Sequence, residues 1–222
     1  MSTISRPMIR IACCFFASMF LLLPAGCAML DPGPPMTSVI LPVQMPQFSQ
    51  AGRMPVQLLV ARPSAEGATG SERIMALMNG YEVRALDSAK WVAPIPNIVQ
   101  RQLIDALEST RRFAAVSWEE SNVDEKYRLS TDIRRFFLRY DTAGAAPVAD
   151  TALVFTLVKT ETGSIVARKF VRMEEPCDGN SLEAFVTAFS QAMTKTLAET
   201  SGWVVEQIEA QLAAPKEQQK RK

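Results

Sequence analysis

The chain has 222 residues, 48% of them hydrophobic and 21% charged, with a formal net charge of +1 and no histidine. That length holds one ordinary globular domain plus an export segment and tails, and the composition excludes a disordered chain. The near-neutral charge argues against a nucleic-acid partner, and the missing histidine removes the commonest general base and the commonest metal ligand.

Arg6 and Arg10 precede an uncharged apolar run over residues 11–23 (IACCFFASMFLLL). The run has the length of a signal-peptide core and falls short of the roughly 20 residues that a membrane helix needs. It ends in Leu23-Pro24-Ala25-Gly26-Cys27, which resembles the lipobox of bacterial lipoproteins, with Pro24 where leucine is usual. The resemblance implies cleavage after Gly26 and lipid attachment at Cys27. An ordinary cleaved signal peptide and an uncleaved anchor helix are the alternatives. Cys13 and Cys14 sit inside the apolar run and have no such run before them. Ala28, rather than an aspartate, follows the cysteine, which by resemblance to Gram-negative sorting rules favours the outer membrane. Losing residues 1–26 removes Arg6 and Arg10 and no acid, which turns the net charge from +1 to −1. Only Cys177 lies beyond Cys27, so no disulfide within the mature domain is expected.

Residues 27–54 are proline-rich (DPGPPM, LPVQMPQ) and read as a tether holding the domain off the membrane. Their one apolar patch, residues 39–43, suits an edge strand because of the flanking prolines. The domain is expected over residues 55–212. Residues 56–60 (VQLLV) form a short strand, residues 64–71 a small-residue loop, and residues 74–86 two short strands about Asn79-Gly80, a strong hairpin signal. Pro94 and Pro96 open a helix in which Ile98, Val99, Leu103, Ala106 and Leu107 share one side. Residues 113–118 follow as a strand. In residues 127–140, Tyr127, Leu129, Thr131 and Ile133 alternate with polar residues, and then Phe136, Leu138 and Tyr140 take up the opposite phase. That flip predicts a β-bulge near Arg134 or Arg135. Residues 153–158 (LVFTLV) read as a covered central strand, residues 165–173 as its partner, and residues 182–212 as a long helix with Gly202 a candidate break. A disordered polar tail is expected over residues 213–222. The whole predicts a single α+β domain: a mostly antiparallel sheet with two main helices packed on one face.

No catalytic, cofactor or metal site is expected. No Gly-x-Ser-x-Gly is present, and residues 67–71 (GATGS) lack the lysine of a phosphate loop. Glu119, Glu120, Asp124 and Glu125 read as a solvated loop rather than a calcium site. Asp132 reads as half of an ion pair on the face of Arg128 and Arg134. The acidic neighbours of Cys177 disfavour a thiolate. Arg111-Arg112 and Arg134-Arg135 read as solvated or partner-facing, and Trp91 and Trp203 as core or rim.

A set of spaced positions carries a family likeness. In order they are Val60-Ala61-Arg62-Pro63, Ser71-Glu72-Arg73-Ile74, Tyr81-Glu82-Val83, Ala89-Lys90-Trp91, Pro94, the Leu103/Leu107 helix, residues 109–113, Leu129-Ser130-Thr131-Asp132 and the helix from Phe185 to Trp203. Over residues 56–205 the chain resembles the ABC-type transport auxiliary lipoproteins, among them the paraquat-inducible protein C group. Met75 and Ala76 stand where relatives often carry an aromatic. The resemblance implies a non-catalytic partner of an MCE-domain protein and, through it, of an inner-membrane permease and ATPase. Such systems move lipids or other hydrophobic molecules across the envelope. It places the chain at the outer membrane, lipid-anchored and facing the periplasm, with no cofactor, no nucleic acid and a homo-oligomer left open. A self-assembling structural or secretion scaffold and a lipid carrier with an apolar groove are the competing readings. A filled core with an exposed patch favours docking, and a groove lined by Phe, Leu and Met favours carriage.

Overall fold

The structure is a computed structural model describing residues 36–48, 52–118, 125–142 and 144–214. Along the chain come β1 (Thr37–Val39), β2 (Gln57–Val60), β3 (Ser64–Ala65), a 3-10 turn (Gly67–Gly70), β4 (Arg73–Met78) and β5 (Glu82–Trp91). Then follow α1 (Ile95–Ser109), β6 (Ala115–Ser117), β7 (Tyr127–Tyr140), β8 (Val148–Lys159), β9 (Ser164–Pro176) and α2 (Leu182–Ala213). The fold is α+β, with a sheet body and two helices.

Strand β7 organises the sheet. One of its edges runs antiparallel to β8 from Tyr127 opposite Lys159 to Arg139 opposite Val148, and β8 pairs antiparallel with β9 in turn. The other edge takes β2, β3 and β4 one after another, all parallel to it. Outside these lie β6 on β2, β5 on β4, and β1 on β5. The sheet is therefore mixed: its long ladders are antiparallel, as expected, while five short ones are parallel. The connection from β2, β3 and β4 to β7 contains α1, and a connection of that length permits parallel pairing.

The phase flip in β7 is a real irregularity. The register with β8 shifts between Ile133 and Arg135, so Leu129 and Ile133 before the shift and Phe136 and Leu138 after it are all buried. Without the extra residue, one half of this strand would turn its apolar side chains to solvent. The Asn79-Gly80 hairpin also forms, with both residues at positive φ (53° and 79°), the conformation that Asn and Gly tolerate best. β8 begins five residues before the expected strand, at Val148, and takes in Asp150.

Both helices bury an apolar side in one core. α1 supplies Val99, Leu103 and Leu107; α2 supplies Phe185, Phe189, Met193 and Leu197; the sheet adds Leu58, Leu129, Leu153 and Phe155. Three rings form its centre. Phe136 and Phe189 stack at 4.7 Å, and Trp91 meets both edge-on at 6.2 and 5.5 Å. α2 starts where the Ser181 hydroxyl accepts the amide of Ala184, a serine N-cap. It runs unbroken through Gly202, where an added Cβ would lie 3.9 Å from the Phe48 ring.

That contact belongs to a strap. Of the stretch expected to be a tether, residues 36–48 are packed onto the body. An edge strand does form here, but over Thr37–Val39 rather than the expected residues 39–43, which share only Val39 with it; Leu41 is buried without being in a strand. The Gln102 side-chain amide donates to the Leu41 carbonyl at 2.9 Å and the Ser109 hydroxyl to the Pro46 carbonyl at 3.1 Å. The Gln44 amide donates to the Thr194 hydroxyl of α2 at 3.1 Å. The strap thus bonds to both helices, and the folded body starts well before residue 55.

Candidate functional site

Cys27, the apolar run before it, Glu119, Glu120, Asp124 and residues 215–222 of the expected tail lie outside the described residues, while Ala213 still belongs to α2. Glu125 accepts from the Ser117 hydroxyl of β6 at 2.8 Å, and the other singled-out residues that are described fall in three places. Trp91 is fully buried in the core and Trp203 is half-buried beside it. Cys177 is also buried (6% exposed), and burial pushes its thiol above the ordinary value, which suppresses the thiolate. Arg112 reaches Glu209 on α2, a structural ion pair. Arg111, just past α1, adopts a φ of 55°, which is costly for a residue with a side chain.

The remaining basic pair lies on the sheet face turned away from the helices. Alternation sends Arg128, Ser130, Asp132, Arg135, Phe137 and Arg139 of β7 to that outer face. Opposite them stand Asp150, Ala152, Val154 and Thr156 of β8, and next Arg168, Phe170, Arg172 and Glu174 of β9. Asp132 does form an ion pair, with Arg134 at 3.1 Å. The keystone is Asp150, fully buried at 0% exposure. Arg172 grips it through two bonds of 3.0 Å, Nε to Oδ1 and Nη2 to Oδ2, the planar fork that guanidinium offers a carboxylate. Arg135 donates to Oδ2 at 3.0 Å and Arg139 at 3.3 Å. Glu174 accepts from Arg172 at 2.8 Å and also bonds Arg139. Burial alone would raise the Asp150 carboxyl, but the bonds and charges of Arg172 and Arg135 outweigh it and hold the group below the usual carboxylate range.

A carboxylate saturated by guanidinium groups is a poor proton acceptor, and it sits in a flat face rather than a cleft. What the arrangement does is fix three arginines in one orientation on an open surface. Phe170, 58% exposed, lies on the same face between Arg168 and Arg172 along β9. A second exposed aromatic, Trp118, lies just after β6. Sequence reasoning missed Asp150. Its signal was an acid within a run destined to be covered, but its three partners come from two other strands whose register only the fold defines.

Two surface hollows flank the C-terminal end of α1. One, of about 440 Å³, is lined by Arg53, Leu107, Glu108, Arg111, Phe113 and residues 114–116. The other, of about 560 Å³, is lined by Met45, Pro46, Gln47, Phe48, Ser109, Thr110 and Arg111. Both are open to solvent and partly charged or polar. Neither lies between α2 and the sheet, where the side chains of both are packed. Among the described residues no helix is long and apolar enough to cross a membrane.

The family model described as "ABC-type transport auxiliary lipoprotein component" matches residues 40–200, more than half of the chain, and it begins within the strap. The chain belongs to that family. A crystal structure of a protein from Xanthomonas campestris, assigned to a family of unknown function, superposes with a TM-score of 0.74 at 25% identity, covering 80% of this chain and 99% of that one. A second crystal structure, of an uncharacterized protein, shares the fold at a TM-score of 0.57 and 15% identity, covering 72% of this chain and 99% of that one. The comparison with curated proteins finds no match. The auxiliary lipoprotein is thus, by its family, a membrane-anchored envelope protein that works with an ABC transport system, and the family is described by an accessory role rather than a reaction.

Proposed function

We propose that this auxiliary lipoprotein is a non-catalytic docking component, held by acyl chains on Cys27 in the outer membrane and facing the periplasm. Its partner is an MCE-domain protein, linked through it to an inner-membrane permease and ATPase that move lipids or other hydrophobic molecules. The observation that carries this reading is the pairing of a packed apolar core with an outer sheet face on which Asp150 fixes Arg135, Arg139 and Arg172, with the exposed Phe170 next to Arg172 along β9. Preorganised arginines and an unburied aromatic are what a protein contact uses, because little side-chain entropy is lost on binding. Lipid carriage is the weaker reading, since the two hollows beside α1 open to solvent and carry Arg53, Glu108 and Arg111.

The test is affinity purification of the acylated protein from membranes, beside a Cys27→Ala control, read by mass spectrometry. Recovery of an MCE-domain protein with acylation mapped to Cys27 is the expected result. Recovery of secretion components alone, or of the chain by itself, overturns the assignment and promotes the scaffold reading.

A further inference from the structure

Strand β9 ends the sheet. It is 13 residues long and pairs with β8 on one side, and among the described residues no strand pairs with its other edge. All of its residues except Val171 and Glu175 are exposed or half-buried. An open edge of that length is a template for another strand, and edges that stay unpaired are usually short, kinked, blocked by proline or guarded by unpaired charges. Here the only proline is the last residue, Pro176, the register irregularity with β8 falls at the far end, at Val166, and the inward-pointing Lys169 and Glu175 are neutralised by Glu199 and Lys195 of α2.

The strand's own sequence selects the occupant. When two copies of one strand pair about a two-fold axis normal to the sheet, facing residues must lie on the same face, so the axis passes through a residue rather than between two. Centring on Phe170 sets Arg168 against Arg172, and centring on Arg172 sets that arginine against itself; both oppose like charges. Centring on Lys169 opposes two lysines. Centring on Met173 also opposes Arg172 and Glu174 but pairs only residues 170–176, against residues 166–176 when the axis is at Val171. With the axis at Val171, Arg168 faces Glu174, Phe170 faces Arg172, and Lys169 faces Met173, with every pair occurring twice by symmetry. Opposite charges and an aromatic–guanidinium contact then fall on the outer face, where Phe170 is otherwise 58% exposed.

We propose that β9 pairs with β9 of a second copy, antiparallel and centred on Val171, so that the sheet runs on across the dimer. The outer faces of both copies then form one continuous surface carrying a duplicated set of arginines. This goes beyond the transport reading, and because Phe170 and Arg172 serve both, it is tested on self-association alone.

The test is co-expression of two differently tagged full-length chains, one with Phe170→Cys and one with Arg172→Cys, followed by mild oxidation of the isolated membranes. Facing α-carbons in an antiparallel pair lie about 4.5–5.5 Å apart, within disulfide reach, whereas Phe170 and its own symmetry copy are two residues out of register. A covalent dimer from the mixture and none from either variant alone is the expected result. No cross-link in the mixture, equal cross-linking of a single variant with itself, or a larger ring in which β9 meets a different strand overturns the proposal. A second readout guards against local misfolding. Arg168→Glu should weaken self-association in detergent roughly tenfold, and adding Glu174→Arg should restore it. Failure of the exchange to rescue a folded protein also overturns the register. Both readouts are independent of any transport partner, so the loss of one assignment leaves the other standing.

Discussion

The two faces of the sheet use the same strands for opposite purposes. On the inner face, Leu129, Ile133 and Phe136 of β7 and Leu153, Phe155 and Leu157 of β8 meet both helices in one apolar core. On the outer face, the alternate residues of these strands build a network of arginines around one buried carboxylate. Hydrophobic burial on the inner face is non-directional and tolerates exchange of shape, whereas the outer face depends on a few bonds of fixed geometry. Because side chains alternate, a single strand carries stability on one side and recognition on the other, and the bulge after Ile133 keeps the two from exchanging places. The comparison predicts that mutations on the inner face act on folding, and those on the outer face on association.

The largest effect should come from the core rings. Phe189→Ala removes the ring stacked on Phe136 and met by Trp91, and should cost about 3–5 kcal/mol in urea unfolding. Partner capture should survive under conditions where the variant stays folded. A loss well below 2 kcal/mol would mean that the centre of the core lies elsewhere.

Next comes Asp150→Asn, which belongs to both faces because it is buried yet holds the outer arginines in place. The three arginines are partly exposed and can regain water, so the cost at neutral pH should be about 2–3 kcal/mol, below that of breaking a fully enclosed ion pair. The Asp150 carboxyl is depressed in the folded chain, so between its folded and unfolded pKa the unfolded state binds more protons and stability rises with pH. The contribution is fully present above the ordinary carboxylate value of about 3.9 and is lost as pH falls through the lower folded value. Urea midpoints followed downward from pH 5 should therefore fall more steeply in the parent than in Asp150→Asn. Parallel curves would mean that other carboxylates govern acid unfolding.

Much of this contrast was legible in the sequence. The phase of residues 127–140 announced the bulge, Asn79-Gly80 announced its hairpin, and the apolar rhythm of residues 182–212 announced α2. Those signals are local, set by backbone period and turn chemistry. The parallel pairing of β2, β3 and β4 along one edge of β7 was not legible, because short parallel strands leave no mark beyond their own few residues. The strap was misread for a related reason: proline content reports stiffness, while the bonds from Gln102 and Ser109 that fasten the segment come from a distant helix. The Asp150 cluster is the extreme case. Its arginines lie 15, 11 and 22 positions away, and their convergence requires the registers of β7 and β9 together.

A smaller effect of the opposite sign is expected at Arg111. Its φ of 55° at the end of α1 suits glycine, so Arg111→Gly should raise stability by up to about 1 kcal/mol in the same unfolding experiment. The side chain lines both hollows beside α1. A destabilised variant would show that its contacts there outweigh the backbone strain.

The smallest effect on folding should be that of Phe170→Ser, and it separates the two faces most sharply. The ring is 58% exposed and lies outside the core cluster, so its removal should change stability by no more than about 0.5 kcal/mol at concentrations where the chain is monomeric. Val154, buried on the same face directly opposite it, sets an upper limit, since part of that side chain would become wet. The same change should weaken recovery of the partner from membranes, because an exposed aromatic beside the fixed Arg172 contributes to a contact rather than to the fold. A cost above about 2 kcal/mol would make the ring a structural element and collapse the distinction between the faces. Unchanged stability with unchanged partner recovery would preserve that distinction but move the docking surface away from β9, towards the exposed Trp118 beyond β6.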